Sequence, residues 1–110
     1  MLCSSADASK SVGLQVKTAN GSKRSWMLTS KCEQMRAKTL FYVFVNIDPR
    51  ALPDFTIVPS NVVARYIRSR HAEWLKGTKR GGGSRKDSTL RVFRDDDGEY
   101  LNRWELLGLD

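Results

Sequence analysis

Gln15 and Lys17 are the residues of this 110-residue chain whose types and spacing best suit chemistry. Apolar residues alternate with small or polar ones from Val12 to Lys17, and this period of two predicts a β-strand. Residues two apart on a strand project to one face, so Gln15 and Lys17 should lie side by side while Val16 enters the core. An amide oxygen beside an ammonium group suits phosphodiester hydrolysis. The oxygen can help to hold a hydrated divalent metal ion, and the ammonium can position water or stabilise negative charge.

The segments that follow this strand must position the pair. Asn20-Gly21 predicts a hairpin that leads into a second strand over Arg24–Leu28, because both turn residues tolerate positive φ. Ser30 and Glu33 have the spacing of a capping box, which predicts a helix that ends near residue 38.

The remaining elements alternate between strand and helix. Phe41–Ile47 is apolar on both faces and predicts a central strand that is covered on both sides. A strand over Phe55–Val58 and a helix over Ser60–Lys76 follow, with Ser60 as the helix cap. We expect a brief strand over Leu90–Phe93, and then a final helix with Tyr100, Leu101, Trp104 and Leu107 on its apolar face.

The strand with Gln15-x-Lys17, the helix after it and the apolar strand resemble the second half of the PD-(D/E)XK nuclease superfamily. That group includes many restriction endonucleases and Holliday-junction resolvases. The residues that match are Leu14–Thr18 and the strand Phe41–Asn46. The family core has the order α-β-β-β-α-β, and its third strand contains (D/E)-x-K, with Gln in place of the acid in some branches. The resemblance implies a mixed α/β fold with a central mixed sheet flanked by helices, a shortened restriction-endonuclease-like core. It also implies catalytic positions at Gln15 and Lys17.

The chain departs from the family pattern at the metal-binding aspartate, which lies near the end of the preceding strand in family members. The only acid upstream of Gln15 is Asp7, in a stretch without strand periodicity. Because hard cations prefer carboxylate oxygens, we expect no metal and no cofactor, with Mg²⁺ relevant only if the chain is active. Activity as a metal-dependent endonuclease would require the missing metal-binding aspartate upstream of Gln15. Without it, we expect this chain to be inactive. Glu33 is an alternative ligand, although helix capping explains it more simply. Gln15 and Lys17 are alternatively the polar face of an edge strand.

Positive charge is concentrated in one segment of the chain. The formal net charge is +7, and ten Lys or Arg residues lie between Arg65 and Arg94, whereas six acids follow from Asp95 onward. A basic segment of this kind can contact a phosphate backbone, and its alternative role is a solvated surface. The candidate nucleic-acid contacts, with DNA favoured, are Arg65, Arg68, Lys76, Lys79, Arg80, Arg85 and Lys86.

Length and composition limit the class of protein. One domain over residues 1–110 is expected, with a flexible, basic, glycine-rich loop at about 77–88. No apolar run approaches the roughly 20 residues of a membrane helix, and the N-terminal segment lacks secretion-signal features. Two cysteines and one histidine exclude a typical zinc site and favour reduced thiols in the cytoplasm. We expect Trp26, Trp74 and Trp104 to anchor the core.

Two hypotheses of different classes follow. The first is a nucleic-acid-associated protein of nuclease ancestry that is catalytically incomplete. The second is a non-catalytic protein-interaction domain, for example a homodimer that pairs through an open sheet edge.

Overall fold

The fold is a mixed α/β arrangement with two sheets and one α-helix in the described part of the chain. A computed structural model describes residues 1–20, 24–77 and 88–109. Short 3-10 turns occur at Ser30–Glu33 and Trp104–Leu107. The regular elements are β1 (Leu2–Ser4), β2 (Ser11–Asn20), β3 (Ser25–Thr29), β4 (Leu40–Ile47), β5 (Asp54–Pro59), α1 (Ser60–Lys76) and β6 (Leu90–Arg94). The predicted fold class and mixed sheet are therefore confirmed.

The main sheet has four strands in the order β1-β2-β4-β5. β2 runs parallel to β4, whereas β1 and β5 are antiparallel to their neighbours. β3 and β6 form a separate antiparallel pair. β1 is a strand that the sequence pattern did not predict. Of the described helices, none is long and apolar enough to cross a membrane.

β4 is the central strand and separates two apolar clusters, as its pattern predicted. Tyr42 and Phe44 are fully buried in the cluster that also includes Val63 and Ile67 of α1. On the opposite face, Phe41 and Val43 pack with Val12, Leu14 and Ile57, and the C-terminal residues Leu106, Leu107 and Leu109 close this side. A helix thus covers one face of the sheet, and the C-terminal segment covers the other.

Phe44 lies at the centre of an aromatic group that joins the two sheets. Its ring centroid is 4.9 Å from that of Trp26, 5.3 Å from that of Tyr42 and 4.9 Å from that of Phe93. The indole nitrogen of Trp26 donates a hydrogen bond of 3.0 Å to the carbonyl oxygen of Val45. The small sheet is therefore fixed to the main sheet by ring packing and by a buried, satisfied donor.

α1 spans the predicted residues, but Ser60 does not cap it. The N-cap position is Pro59, without a side-chain cap, and Ser60 is the first helical residue. The buried Ser60 hydroxyl instead donates to the carbonyl oxygen of Ala37 at 2.9 Å and accepts from the Ala37 amide at 3.0 Å. This hydroxyl satisfies both polar backbone groups of one loop residue.

The predicted helix from Ser30 to residue 38 is wrong, since only the turn Ser30–Glu33 is helical. A segment this short gains little from helical hydrogen bonds alone, because helix nucleation is costly. Tertiary contacts use its backbone instead: Ser60 binds Ala37, and the carbonyl oxygen of Thr39 accepts from the Gly13 amide at 2.7 Å. Ser30 likewise continues the strand pairing through its amide, which donates to Thr89.

The predicted hairpin between the first two long strands is also wrong. β3 pairs with β6, with Trp26 opposite Phe93, so burial of these two rings determines the partner of β3. Gly21 and residues 78–87 of the predicted glycine-rich loop lie outside the described residues.

The predicted C-terminal helix is replaced by an extended contact with β5. Leu101 forms an antiparallel bridge with Thr56, and the Asn102 amide donates to the carbonyl oxygen of Phe55 at 2.8 Å. Asn102 has a φ of +54°, which directs the chain out of this bridge. Pairing with the edge of β5 thus takes precedence over the helical pattern. Gly108, with a φ of +66°, ends the following 3-10 turn.

Candidate functional site

Gln15 and Lys17 lie together on β2, as predicted, but in a setting that differs from a metal site. Gln15 is opposite Tyr42 and Lys17 is opposite Phe44 in the parallel ladder. Both polar side chains are partly buried, on the sheet face that α1 covers. Burial raises the pKa of the Tyr42 phenol, which therefore remains protonated at neutral pH. The immediate strand neighbours are thus neutral aromatic residues and not carboxylates.

Val16 does not enter the core, contrary to prediction. Its side chain is 47% exposed, and it is not among the residues that form the apolar cluster on that face of the sheet. Val12 and Leu14, on the same face, are buried because the C-terminal leucines cover them.

The acids that could have completed a metal site are engaged elsewhere. Asp7 lies in the turn between β1 and β2, where a side-chain hydrogen bond from Ser9 and further bonds from the Ser9 amide and Ser5 lower its pKa to about 2. Glu33 forms an ion pair with Arg91, with 3.6 Å between Oε1 and Nε. Over residues 1–20, 24–77 and 88–109 there is no group of three His, Cys, Asp or Glu residues that could hold a metal ion.

Three of the predicted nucleic-acid contacts form a stripe along α1. Arg65, Arg68 and Lys76 are exposed, and at 3.6 residues per turn they fall on one side of the helix. Val63 and Ile67 mark the opposite, buried side. We call Arg65, Arg68 and Lys76 the cationic stripe. The other four predicted contacts, Lys79, Arg80, Arg85 and Lys86, lie outside the described residues.

A groove between α1 and β6 is the feature that sequence analysis missed. Its volume is about 510 Å³. One wall comes from Tyr66, Arg70 and Trp74 of α1, and the other comes from Leu90, Val92 and Arg94 of β6. We call this cavity the α1–β6 groove. The wall on α1 has the spacing i, i+4, i+8, which places its residues on one helix face and was visible in the sequence.

Aromatic and cationic groups are ordered within the groove. Tyr66 packs edge-on against Phe93 at 4.8 Å, and the guanidinium carbon of Arg70 lies 5.9 Å from the Tyr66 ring centroid. The ring of Trp74 stacks on that of His71 at 5.6 Å with an interplanar angle of 20°. These contacts fix the orientation of both aromatic side chains in the α1 wall.

The three tryptophans have different environments, although all were expected in the core. Trp26 is buried, with 1% exposure, whereas Trp74 is 42% and Trp104 is 44% exposed. Trp104 packs against Phe55 at the far side of the main sheet, with ring centroids 5.7 Å apart. Trp74 is therefore the exposed tryptophan that belongs to a groove with cations.

Cationic side chains outnumber acidic ones in the lining of the groove. Arg70, Arg91 and Arg94 contribute cations, and Glu73 is the acid among the lining residues. Arg91 is buried and paired with Glu33, and Arg94 contacts the exposed Asp96 at 3.1 Å. An exposed surface pair of this kind is weak, so an anionic ligand can compete for Arg94.

No protein-family model, no curated protein and no solved structure matches this chain. The assignment of function therefore depends on the residues of this chain.

We predict that the Glu33–Arg91 pair is structural. Glu33→Gln leaves the Arg91 guanidinium buried without its counter-ion, so we expect a loss of about 2–4 kcal/mol in the free energy of unfolding, measured in urea. The double variant Glu33→Gln, Arg91→Met should recover much of this loss.

The pair Asp48–Arg50, with 3.1 Å between Oδ1 and Nε, provides a matched control because its cation is solvated: the Arg50 side chain is 80% exposed, whereas that of Arg91 is 8% exposed. Asp48→Asn should change the free energy of unfolding by less than about 1 kcal/mol. Equal effects of Glu33→Gln and Asp48→Asn would contradict a structural role for the buried pair.

Proposed function

We propose that this protein binds nucleic acid, with DNA favoured, through phosphate contacts made by the cationic stripe. The observation that supports this proposal most is the alignment of Arg65, Arg68 and Lys76 on the exposed side of α1. Cations on one rigid helix face can follow a line of phosphates, and such contacts provide affinity without sequence information. The α1–β6 groove, on another side of the same helix, has two further exposed cations, Arg70 and Arg94.

Nuclease ancestry without catalysis is part of this proposal. Its support is the strand β2, on which Gln15 and Lys17 share a face and which lies parallel to the apolar strand β4. The connection between β2 and β4 contains β3 and a 3-10 turn, whereas the family has a helix there. Because Gln15 replaces an acid and Glu33 is paired with Arg91, we propose that this site is a relic and not an active centre.

A cytoplasmic setting is also proposed. Cys3 is partly exposed and Cys32 is buried, and both are free thiols. Free thiols are typical of a reducing compartment.

Removal of the cationic stripe should weaken binding and lower its salt dependence. For Arg65→Ala, Arg68→Ala, Lys76→Ala we expect at least a tenfold weaker affinity for a labelled DNA strand at low salt. The slope of log K against log salt should fall by about 2–3, because each phosphate contact contributes about 0.7–0.9. Fluorescence anisotropy at several salt concentrations measures both quantities.

The matched control removes the same charge from other exposed positions: Lys10→Ala, Lys31→Ala, Lys38→Ala. These substitutions should leave the slope nearly unchanged. An equal loss in both triple variants would show that net charge alone attracts DNA. A wild-type protein without salt-sensitive binding to single-stranded or duplex DNA would contradict the proposal.

Self-association through β2 is a second candidate function, supported by an open strand edge. The Leu14 amide donates to the carbonyl oxygen of Met1, so even-numbered residues of β2 direct their backbone groups away from β4. Beyond Leu14, no described strand pairs with this edge. The backbone amide and carbonyl groups of Val16, Thr18 and Asn20 therefore face an edge where another strand could form hydrogen bonds with them. Such an edge can pair with a second copy of the same strand.

A two-fold antiparallel pairing centred on Thr18 suits this edge. It places Val16 opposite Asn20 of the other copy, and Lys17 opposite Ala19. This register avoids a direct contact between two lysines, which would be destabilising.

Thr18→Pro should abolish a dimer of this kind without unfolding the protein. The Thr18 amide faces the open edge, where proline is tolerated, but proline cannot donate to a new strand. Sedimentation should give a dimer for the wild type and for Thr18→Ala, and a monomer for Thr18→Pro. A wild-type protein that is monomeric at all concentrations would contradict this second function.

A further inference from the structure

We infer that the α1–β6 groove binds an unpaired nucleobase, which makes single-stranded nucleic acid the preferred ligand. This inference rests on the proposed function and names the ligand class for a groove formed by a different side of α1, the helix that also contains the cationic stripe. It assigns binding of the base to the groove and binding of the phosphates to the surrounding cations.

The walls of the groove have the chemistry that a base requires. Leu90 and Val92 are 54% and 42% exposed, and they face a cavity that also includes the partly exposed Trp74. Apolar and aromatic surface of this kind is costly to leave in water, and a stacked base would cover it. A volume of about 510 Å³ is within the range of ligand sites.

The aromatic wall is rigid before any ligand binds. Tyr66 is held against Phe93, which is buried and stacked on Phe44 of the central strand. Trp74 is stacked on His71 one turn earlier in α1. Because these side chains are already ordered, binding loses less side-chain entropy, and less of the stacking free energy is offset.

The charges around the groove suit the sugar-phosphate part of a nucleotide. Arg70 lies over the Tyr66 ring, and Arg94 lies on the opposite wall, paired with the exposed Asp96. The buried Arg91 is committed to Glu33 and to the Ser88 and Leu90 carbonyl oxygens, so it positions β6 and is not a ligand contact. Cations thus flank an apolar centre.

Duplex DNA fits this arrangement less well than a single strand. Paired bases are stacked within the helix, so aromatic side chains reach their faces only after unpairing. In a single strand, successive bases are free to leave the stack and to lie on a protein ring. The groove therefore predicts discrimination that phosphate contacts alone do not provide.

The test compares two labelled strands of about twelve nucleotides, one of thymidine nucleotides and one of base-free sugar-phosphate units. Both strands have the same number of phosphates. We expect the full chain to bind the thymidine strand about 5- to 100-fold more tightly. Trp74→Ala should remove most of this difference while leaving affinity for the base-free strand and the salt slope unchanged.

Three variants serve as controls, and circular dichroism checks that each is folded. Trp104→Ala removes an equally exposed tryptophan outside the groove and should leave both affinities unchanged. Trp74→Phe retains an aromatic face and should retain most of the preference for bases. Leu90→Ser changes the opposite wall without changing charge and should weaken binding of the thymidine strand alone.

The failures of the two proposals are distinguishable. If both strands bind the wild type equally and in a salt-sensitive way, base binding is wrong while phosphate binding stands. If neither strand binds, the proposed function fails as well. If a polyglutamate peptide binds through Trp74 and no base preference exists, the groove recognises an acidic peptide and the inference is overturned.

Discussion

Burial of both faces of β4 is the constraint on which the rest of the structure depends. Phe44 contacts Trp26 of β3 and Phe93 of β6, so the small sheet is placed by the same side chain that fills the main core. Phe93 in turn contacts Tyr66, which forms part of the groove wall. The geometry of the candidate site is therefore a consequence of core packing.

The sequence predicted the elements whose pattern is local and strong. β4 has apolar residues on both faces, and α1 has a long periodic stretch that ends at Gly77, so both were found with nearly correct bounds. The partner of β3 was not predicted, because alternation identifies a strand without identifying its neighbour. The predicted helix from Ser30 and the predicted C-terminal helix do not form, because a hydrogen bond with Ser60 and pairing with β5 use their backbone groups instead. No local sequence pattern contains these tertiary contacts.

The candidate site was predictable only in part. The charge run indicated the cationic stripe, and helical spacing placed Arg65, Arg68 and Lys76 on one side of α1. The groove needed the register of β6 against β3, which determines that Leu90 and Val92 face outward together. The sequence likewise did not distinguish the exposed Trp74 from the buried Trp26, because their difference in burial is visible only in the structure. Gln15 and Lys17 were placed correctly on one face of a strand. Their neighbours could not be predicted, because these depend on the pairing of β2 with β4 and on the packing of α1.

Chemical-shift mapping of the amide groups during titration with a thymidine strand tests the central claim most directly, namely that α1 and β6 form the ligand surface. We predict that amides of residues 65–76 and 90–94 shift together, in proportion to the bound fraction. Amides of Gln15, Lys17 and the rest of β2 should remain unchanged. Shifts confined to β2, with α1 and β6 unaffected, would contradict the account and locate binding at the Gln15–Lys17 strand.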